Sequence, residues 1–115
     1  MVGIDIEEIK RFKKLTDHFI ERIYTKNEIE YSLKKANPHI HFAGIWCAKE
    51  AVVKCLSGLN LIVKKIEILH KENGQPFVKV TDEIKKYFEK EKIKNIHISI
   101  SHTNKIATAI AIIEK

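Results

Sequence analysis

One stretch of the chain, Trp46 to Lys54, constrains the fold more than any other. It contains no Gly or Pro and only three charged residues, Lys49, Glu50 and Lys54, so it predicts a helix that is buried on most sides. Glu50 and Lys54 stand four positions apart, which places both on one face of that helix. An intrahelical ion pair is one interpretation. Because a buried carboxylate is costly without a partner or a metal, a functional site is the other.

The composition is that of a folded protein with one core. At 115 residues the chain is long enough for one domain, residues 1–115, without disulfides or a structural metal. No apolar run approaches membrane-spanning length, and the segment after Met1 soon reaches acids and does not read as a signal peptide. We therefore expect a cytoplasmic protein with no membrane partner. Cys47 and Cys55 lie too far apart on the predicted helix for a disulfide, so both are expected in the core.

The net charge of +6 concerns partners more than fold. Its densest cluster is the run Lys10-Arg11-Phe12-Lys13-Lys14. One hypothesis is therefore a non-catalytic basic module that binds nucleic acid or an acidic protein through this run. The isolated acids Asp5 and Glu50 argue against a nucleic-acid groove, since they oppose the attraction to a polyanion. We expect no nucleic-acid partner.

The chain opens with a short apolar strand, Val2–Ile6, which one glycine and one acid interrupt. Gly3 allows another backbone to approach closely, whereas Asp5 either caps the next helix or belongs to a site. That helix is predicted from apolar residues at three-residue steps, with basic residues on its other faces. The apolar residues are Ile9, Phe12 and Leu15.

Capping signals predict the next two helices. Thr25-Lys26-Asn27-Glu28 has the form of a capping box, so a helix begins there and carries Ile29 and Leu33 inward. It stops near Pro38, because proline disfavours helical geometry in the residue before it. The central helix follows and is predicted to end at Gly58.

In the second half of the chain strand patterns dominate. Asn73-Gly74 between two apolar runs, 65–69 and 76–80, is a strong hairpin signal. Thr81 caps a helix with acids in its first turn and lysines at its end. Two alternating strands then meet at the tip His102-Thr103-Asn104-Lys105. The whole pattern predicts an α+β fold with helices packed on an antiparallel sheet.

The isolated polar residues point to phosphate chemistry. Asp5 and Glu50 are too few carboxylates for a calcium cage but suit Mg²⁺, which keeps several waters and completes its shell with phosphate oxygens. Lys54 would then neutralise charge on the transferring or leaving phosphate. Another phosphate would be bound by polar residues near the last hairpin tip, Ser101, His102 and Thr103. A Ser101-His102 hydrolase pair is a poor alternative, because adjacent strand residues point to opposite faces.

At these residues the chain resembles the holo-acyl-carrier-protein synthases, the short class of 4′-phosphopantetheinyl transferases. The matching segments run nearly end to end in the same order. They are Gly3–Glu7 with Ile9 and Arg11, Phe19–Thr25 with Glu28, Phe42–Gly44, Ala48–Ala51 with Lys54, Ile66–Ile68, Asn73–Pro76 and Ile98–Thr103. The chain departs from the family pattern at Ile45, where the family usually has Arg, and in a shortened loop, Ser57–Asn60.

The resemblance implies an activity and an assembly. The activity is transfer of the phosphopantetheine arm of coenzyme A to a serine hydroxyl of apo-acyl carrier protein. The reaction would release adenosine 3′,5′-bisphosphate and support fatty acid biosynthesis. The assembly would be an α+β homotrimer with active sites between neighbouring subunits.

The resemblance also implies residue roles. Asp5 and Glu50 would bind Mg²⁺ together with the coenzyme A pyrophosphate, and Glu50 would also orient or deprotonate the serine. Lys54 would stabilise the pyrophosphate as the bond breaks, and Arg11 would meet the acidic carrier protein. The adenosine 3′-phosphate side of the coenzyme would be held by Ser101, His102 and Thr103.

Overall fold

The predicted central helix is present as an 18-residue helix that lies across an antiparallel sheet, in a computed structural model that describes residues 1–115. The elements in chain order are β1 (Val2–Glu8), α1 (Asp17–Ile23), α2 (Lys26–Leu33), α3 (Pro38–Cys55), β2 (Ile68–His70), β3 (Pro76–Val78), α4 (Asp82–Glu91), β4 (Asn95–His102) and β5 (Ile106–Glu114). Short 3-10 turns lie at Ile9–Phe12, Ser57–Leu59 and Val63–Lys65. The predicted α+β class is confirmed.

The main sheet has the strand order β1-β5-β4, with β5 antiparallel to both neighbours. Strand β5 alternates small and branched residues, and its alanines Ala107, Ala109 and Ala111 face the core and are buried. Small side chains on that face let α3 approach the sheet closely. Gly3 on β1 has the same effect, since a Cβ there would stand 1.9 Å from the Ala51 carbonyl oxygen. The close approach predicted at Gly3 is confirmed.

Several local predictions are confirmed. Thr25 and Glu28 form the capping box at the start of α2, and the Thr81 hydroxyl accepts from the Ile84 amide at the start of α4. Strands β2 and β3 form the predicted hairpin, with Gly74 at a φ of 88° in its turn. Both cysteines are free and buried.

A buried ion pair joins α2 to α3. Lys49 Nζ donates to Oε1 of Glu28, and both side chains are fully buried. The Glu28 carboxylate also accepts from the backbone amides of Thr25 and Ile68, each at 2.8 Å. Burial lowers the pKa of Lys49, while the Glu28 charge opposes that shift. One carboxylate thus fixes the start of α2, the centre of α3 and the beginning of β2.

Two predictions for the first helices are wrong. The helix after β1 is only the 3-10 turn Ile9–Phe12, and α1 begins later because the Thr16 hydroxyl accepts from the Phe19 amide. In α2, Leu33 does not point inward: 61% of its surface is exposed. The buried face of α2 carries Glu28 and Ser32 instead, because α2 turns the Glu28 carboxylate toward Lys49.

Predictions about the ends of two elements are also corrected. Helix α3 ends at Cys55, and the left-handed residue beyond it is Asn60, with φ 52°, and not Gly58. Gly58 instead makes room for a tyrosine, since a Cβ there would stand 2.6 Å from the Tyr87 hydroxyl. Asp5 lies in the middle of β1, and no side chain caps the turn that follows.

None of the helices combines the length and the hydrophobicity needed to span a bilayer.

Candidate active site

Asp5 lies on β1, on the face of the sheet that α3 covers. Its Oδ1 accepts from Lys54 Nζ at 3.0 Å. Its Oδ2 is buried and has no hydrogen-bond partner. Burial raises the pKa of the neighbouring Cys47 thiol, and the Asp5 carboxylate raises it further. Because a buried acceptor without a partner is costly, a cation or a ligand donor would stabilise this oxygen.

Glu50 extends from α3 toward the same region. Burial raises the pKa of Glu50, and the negative charges of Asp5 and Glu7 raise it further, while Lys54 acts in the opposite direction. A carboxyl group with a raised pKa beside another acid is held at an electrostatic cost that a cation would relieve. Both groups offer the hard oxygen ligands that Mg²⁺ prefers.

The side chains therefore fit a magnesium ion that keeps water and substrate oxygens in most of its shell. No group of three or more His, Cys, Asp or Glu side chains is arranged to hold a metal. The candidate metal centre consists of Asp5 and Glu50 alone.

Lys54 is tied to β1 and not to Glu50. Its Nζ donates to the Ile4 carbonyl oxygen and to Asp5 Oδ1, both at 3.0 Å. The intrahelical pair with Glu50 does not form, although Lys54 is close enough to lower the pKa of Glu50. An ammonium group has three hydrogens, so one remains free on a side chain that is 53% exposed.

Glu7 is a residue whose importance the sequence reasoning missed. Its Oε1 accepts from Arg11 at 2.7 Å, and its Oε2 accepts from the Trp46 indole nitrogen at 3.1 Å. The strand period of two, which puts Asp5 and Glu7 on one face, was the available signal. Glu7 therefore connects the Asp5 region to Arg11.

Arg11 borders a groove of about 340 Å³ beside the candidate metal centre. Its apolar part comes from aromatic and aliphatic side chains, and its polar edge includes Glu7, Arg11 and Lys14. The apolar residues are Phe12, Leu15, Phe19 and Trp46. An apolar groove edged by cations fits an acidic protein that presents an apolar side chain.

The three residues predicted near the last hairpin tip do not all lie on one face of the sheet. His102 Nδ1 lies 3.1 Å from the Thr103 carbonyl oxygen, which leaves its Nε2 free. The Thr103 hydroxyl accepts from the amides of Lys105 and Ile106 at 3.1 Å, so its own hydrogen can still be donated. Ser101 pairs with Thr108 and, one residue from His102, points to the opposite face of the sheet.

A single chain does not join the two parts of the predicted site. Asp5, Glu50 and Lys54 are grouped beside β1, whereas His102 belongs to β4. Strand β5 separates β1 from β4, so the two edge strands lie about 10 Å apart. The structure brings together the two proposed metal ligands and the lysine, but not the residues of the hairpin tip.

Comparison with known proteins identifies the family of the chain. Residues 1–111 match the family model of the 4′-phosphopantetheinyl transferase superfamily. The chain is 45% identical over 117 residues to the holo-[acyl-carrier-protein] synthase of Caldicellulosiruptor saccharolyticus, with 99% of this chain and 95% of that protein covered.

Solved structures give the same result. The holo-[acyl-carrier-protein] synthase of Neisseria meningitidis superposes with a TM-score of 0.85 at 27% identity, covering 99% of this chain and 97% of that chain. The Helicobacter pylori enzyme, solved in complex with coenzyme A, gives 0.81 at 28% identity and covers 99% and 100%. The chain therefore belongs to the holo-[acyl-carrier-protein] synthases of the 4′-phosphopantetheinyl transferase superfamily.

Proposed function

We propose that this chain transfers 4′-phosphopantetheine from coenzyme A to a serine hydroxyl of apo-acyl carrier protein in a Mg²⁺-dependent reaction that releases adenosine 3′,5′-bisphosphate. Through this reaction it would support fatty acid biosynthesis. The observation that carries the proposal is the buried Oδ2 of Asp5, which has no partner, beside Glu50 and Lys54. Because the family is one of enzymes, the non-catalytic basic module is not proposed.

Asp5 and Glu50 would hold the magnesium ion. A bound Mg²⁺ would supply Lewis-acid polarisation of the pyrophosphate and neutralise part of its charge. Asp5 is fixed for this role by the hydrogen bond from Lys54. Glu50 is half-buried on α3, where its carboxylate would also orient the serine or accept its proton.

The bond changes assign a task to each side chain. The serine oxygen forms a bond to the phosphorus of the phosphopantetheine arm, and the bond from that phosphorus to the bridging pyrophosphate oxygen breaks. The electron pair leaves with adenosine 3′,5′-bisphosphate, whose new charge the free hydrogen of Lys54 can meet. Glu50 takes the serine proton, directly or through water.

The carrier protein would dock in the groove that contains Trp46. Arg11 is held by Glu7 at the edge of that groove, where it faces solvent and can meet an acidic surface. Glu7 also reaches toward the candidate metal centre, since its charge affects the pKa of Glu50. A carrier bound in this groove would present its serine close to Glu50.

A homotrimer with shared active sites would join the two parts of the predicted site. The outer face of the sheet supports self-association, because its aliphatic side chains are exposed to an unusual degree. They are Val2 at 62%, Ile4 at 61%, Ile6 at 64% and Ile112 at 46%. Asp5 and Glu50 of one subunit would then meet coenzyme A held by His102 and Thr103 of the next. The cytoplasmic location stays a prediction from the sequence.

One experiment tests the activity directly. The purified protein is incubated with coenzyme A, Mg²⁺ and apo-acyl carrier protein, and the intact mass of the carrier is measured. We expect the mass to rise by one phosphopantetheine, and the rise to disappear when a chelator removes the metal or when the carrier serine is replaced by alanine. An unchanged carrier mass with a folded protein and several apo-carriers would refute the proposal.

A further inference from the structure

A second cavity lies on the β4 side of α3, away from the carboxylates. Its volume is about 200 Å³, and its walls come from α2, α3, the β2–β3 hairpin and β4. Three of its lining residues are histidines, His41, His70 and His102, and none is an acid. A cavity with several imidazoles and no carboxylate is suited to an anion.

Tyr31 holds two of these histidines in place. Its ring stacks on the His70 ring with 3.7 Å between centroids and 4° between planes. The His41 ring meets the Tyr31 ring edge-on, with the centroids 5.8 Å apart. Lys35 Nζ lies 4.7 Å from the Tyr31 ring centroid, which adds a cation beside the stack. The imidazoles are therefore ordered before any ligand arrives.

The surroundings of both histidines are cationic. Burial lowers the pKa of His41, and Lys35, His102 and His39 lower it further. Burial, His41 and Lys35 together lower the pKa of His70 to about 4. Both rings are thus neutral near pH 7, but each would gain a proton if an anion offset the neighbouring positive charges.

We propose that His41 and His70, together with His102, form a pocket for the 3′-phosphate of coenzyme A, and that binding of this phosphate is coupled to proton uptake by the two histidines. The inference rests on the proposed function, which places His102 on the 3′-phosphate side of the coenzyme. A phosphate monoester fits the cavity because its oxygens can accept from several imidazolium groups at once. Ile45, which also lines the cavity, contributes no charge.

The sign of the pH effect follows from the linkage. If the bound phosphate raises the histidine pKa values, the complex binds more protons than the free protein at a pH between the free and bound values. Coenzyme affinity therefore falls as the pH rises through that window. The effect depends on the 3′-phosphate, so dephospho-coenzyme A, which lacks it, should show a much weaker dependence.

Calorimetry measures the coupling. Coenzyme A is titrated into the protein in two buffers of different ionisation enthalpy, and the difference in binding heat gives the protons taken up. We expect net uptake with coenzyme A and little with dephospho-coenzyme A. The measurements are made between about pH 7 and pH 8.5, because the 3′-phosphate, with a second pKa of about 6, is then already a dianion. In that range the Kd for coenzyme A should rise with pH, within the limit of tenfold per pH unit for each proton bound.

Variants assign the protons to residues. His70→Phe keeps an aromatic ring on Tyr31 but cannot be protonated, and His41→Gln removes the second imidazole. Each should reduce proton uptake, and the double variant should abolish most of it. The matched control is His18→Gln, since His18 is an exposed histidine on α1 that does not line the cavity. Thermal unfolding of each variant tests whether the protein remains folded.

The outcomes separate this inference from the proposed function. Normal phosphopantetheine transfer without proton uptake on coenzyme binding would overturn the histidine pocket and leave the activity intact. Equal proton uptake with coenzyme A and dephospho-coenzyme A would also overturn the histidine pocket and leave the activity intact. Full proton uptake in the double variant would have the same consequence. A protein that neither binds coenzyme A nor modifies a carrier would refute both.

Discussion

Lys54 bridges α3 and β1, and this single side chain determines how Glu50 and its neighbours respond to substitution. Lys54 donates to Asp5 and not to Glu50, so no ion pair is lost when Glu50 is neutralised. Glu50→Gln should therefore leave the fold intact or stabilise it above the ordinary pKa of Glu50, where the native carboxyl group is held near Asp5 at a cost. Magnesium affinity and kcat should fall together, which magnesium titration and steady-state kinetics would measure.

The control for this variant is Glu8→Gln, which makes the same change at an exposed end of β1. Lys54→Ala is the complementary variant. It should reduce kcat, because the lysine charge would matter most as negative charge develops on the proposed leaving bisphosphate. It should also weaken magnesium binding, because Asp5 loses the hydrogen bond that fixes it. Near-normal turnover in Glu50→Gln would show that Glu50 is not a metal ligand. It would also contradict most of the proposed mechanism.

Arg11 lies at the edge of the groove and should affect one substrate only. Charge attraction across solvent weakens when salt shortens the Debye length, which is about 8 Å at physiological ionic strength. Added salt should therefore raise KM for the carrier protein more than KM for coenzyme A, and Arg11→Ala should do the same at low salt. Lys10→Ala, in the same basic run but outside the groove, is the matched control. Equal changes in both KM values would assign Arg11 to the coenzyme instead.

At the scale of elements, the contact between β1 and α3 sets the position of the site. Asp5 is carried by β1 and Glu50 by α3, and the two backbones meet at Gly3 and Ala51. Gly3→Ala would force these elements apart, because the added carbon would overlap the Ala51 carbonyl oxygen. We expect the free energy of unfolding to fall by about 1–3 kcal/mol, as in other overpacked cores, and kcat to fall as well.

Gly58→Ala provides the comparison for that prediction. There the new carbon meets only the hydroxyl end of the Tyr87 side chain, which can move, and no site residue lies on that loop. Its effect on kcat should be small. Chemical denaturation and steady-state kinetics of the two variants test the difference, and equal kcat losses would show that the backbone approach at Gly3 does not position the site.

The buried pair of Glu28 and Lys49 should be among the most sensitive positions for stability. Lys49→Met would leave the Glu28 carboxylate buried with only backbone partners, which should cost about 3–5 kcal/mol. Lys85→Met, at an exposed position of α4, should change stability by less than about 0.5 kcal/mol. Urea denaturation gives both values, and a small loss for Lys49→Met would mean that water reaches the carboxylate.

Sequence patterns predicted elements well where the signal was local. Asn73-Gly74 specified a hairpin, Thr25 and Glu28 specified a helix start, and the alternation in β5 specified a strand. The inward face of α2 was not predictable in this way, because it follows from the pairing of Glu28 with Lys49, 21 positions later. Partners that distant leave no periodic pattern in either segment.

The candidate site, like the fold, was predictable where the signal was local and not where it depended on distant contacts. Asp5 and Glu50 were recognisable as isolated acids in apolar segments, and in the fold the Asp5 charge raises the pKa of Glu50. Their role as metal ligands stays a prediction. The attachment of Lys54 to β1 was not predictable from the helical spacing, which favoured Glu50. The cavity with His41 and His70 requires four elements to meet, so neither histidine carried a signal of its own.

At the scale of the whole molecule, a shared active site makes a quantitative prediction. His102→Ala and Glu50→Gln proteins should each be inactive alone, because each lacks one half of every site. After subunit exchange in an equal mixture, one half of each site comes at random from either protein. About one quarter of the sites should therefore be intact, which would restore about a quarter of wild-type activity. No recovery after verified exchange would place the complete site within one chain.

The pairing of β1 with β5 places the first strand of the chain beside the last. Asp5 pairs with Ala109 and Val2 with Ile112, so the ladder closes a loop of roughly 100 residues. At a synthesis rate of about 5–20 residues per second, β5 is made roughly 5–20 s after β1. During that interval the isoleucines of β1 have no strand beside them, and Asp5 has no fixed position. Asp5 and Glu50 can therefore take up their positions in the candidate metal centre only after β5 has left the ribosome, about 100 residues after β1.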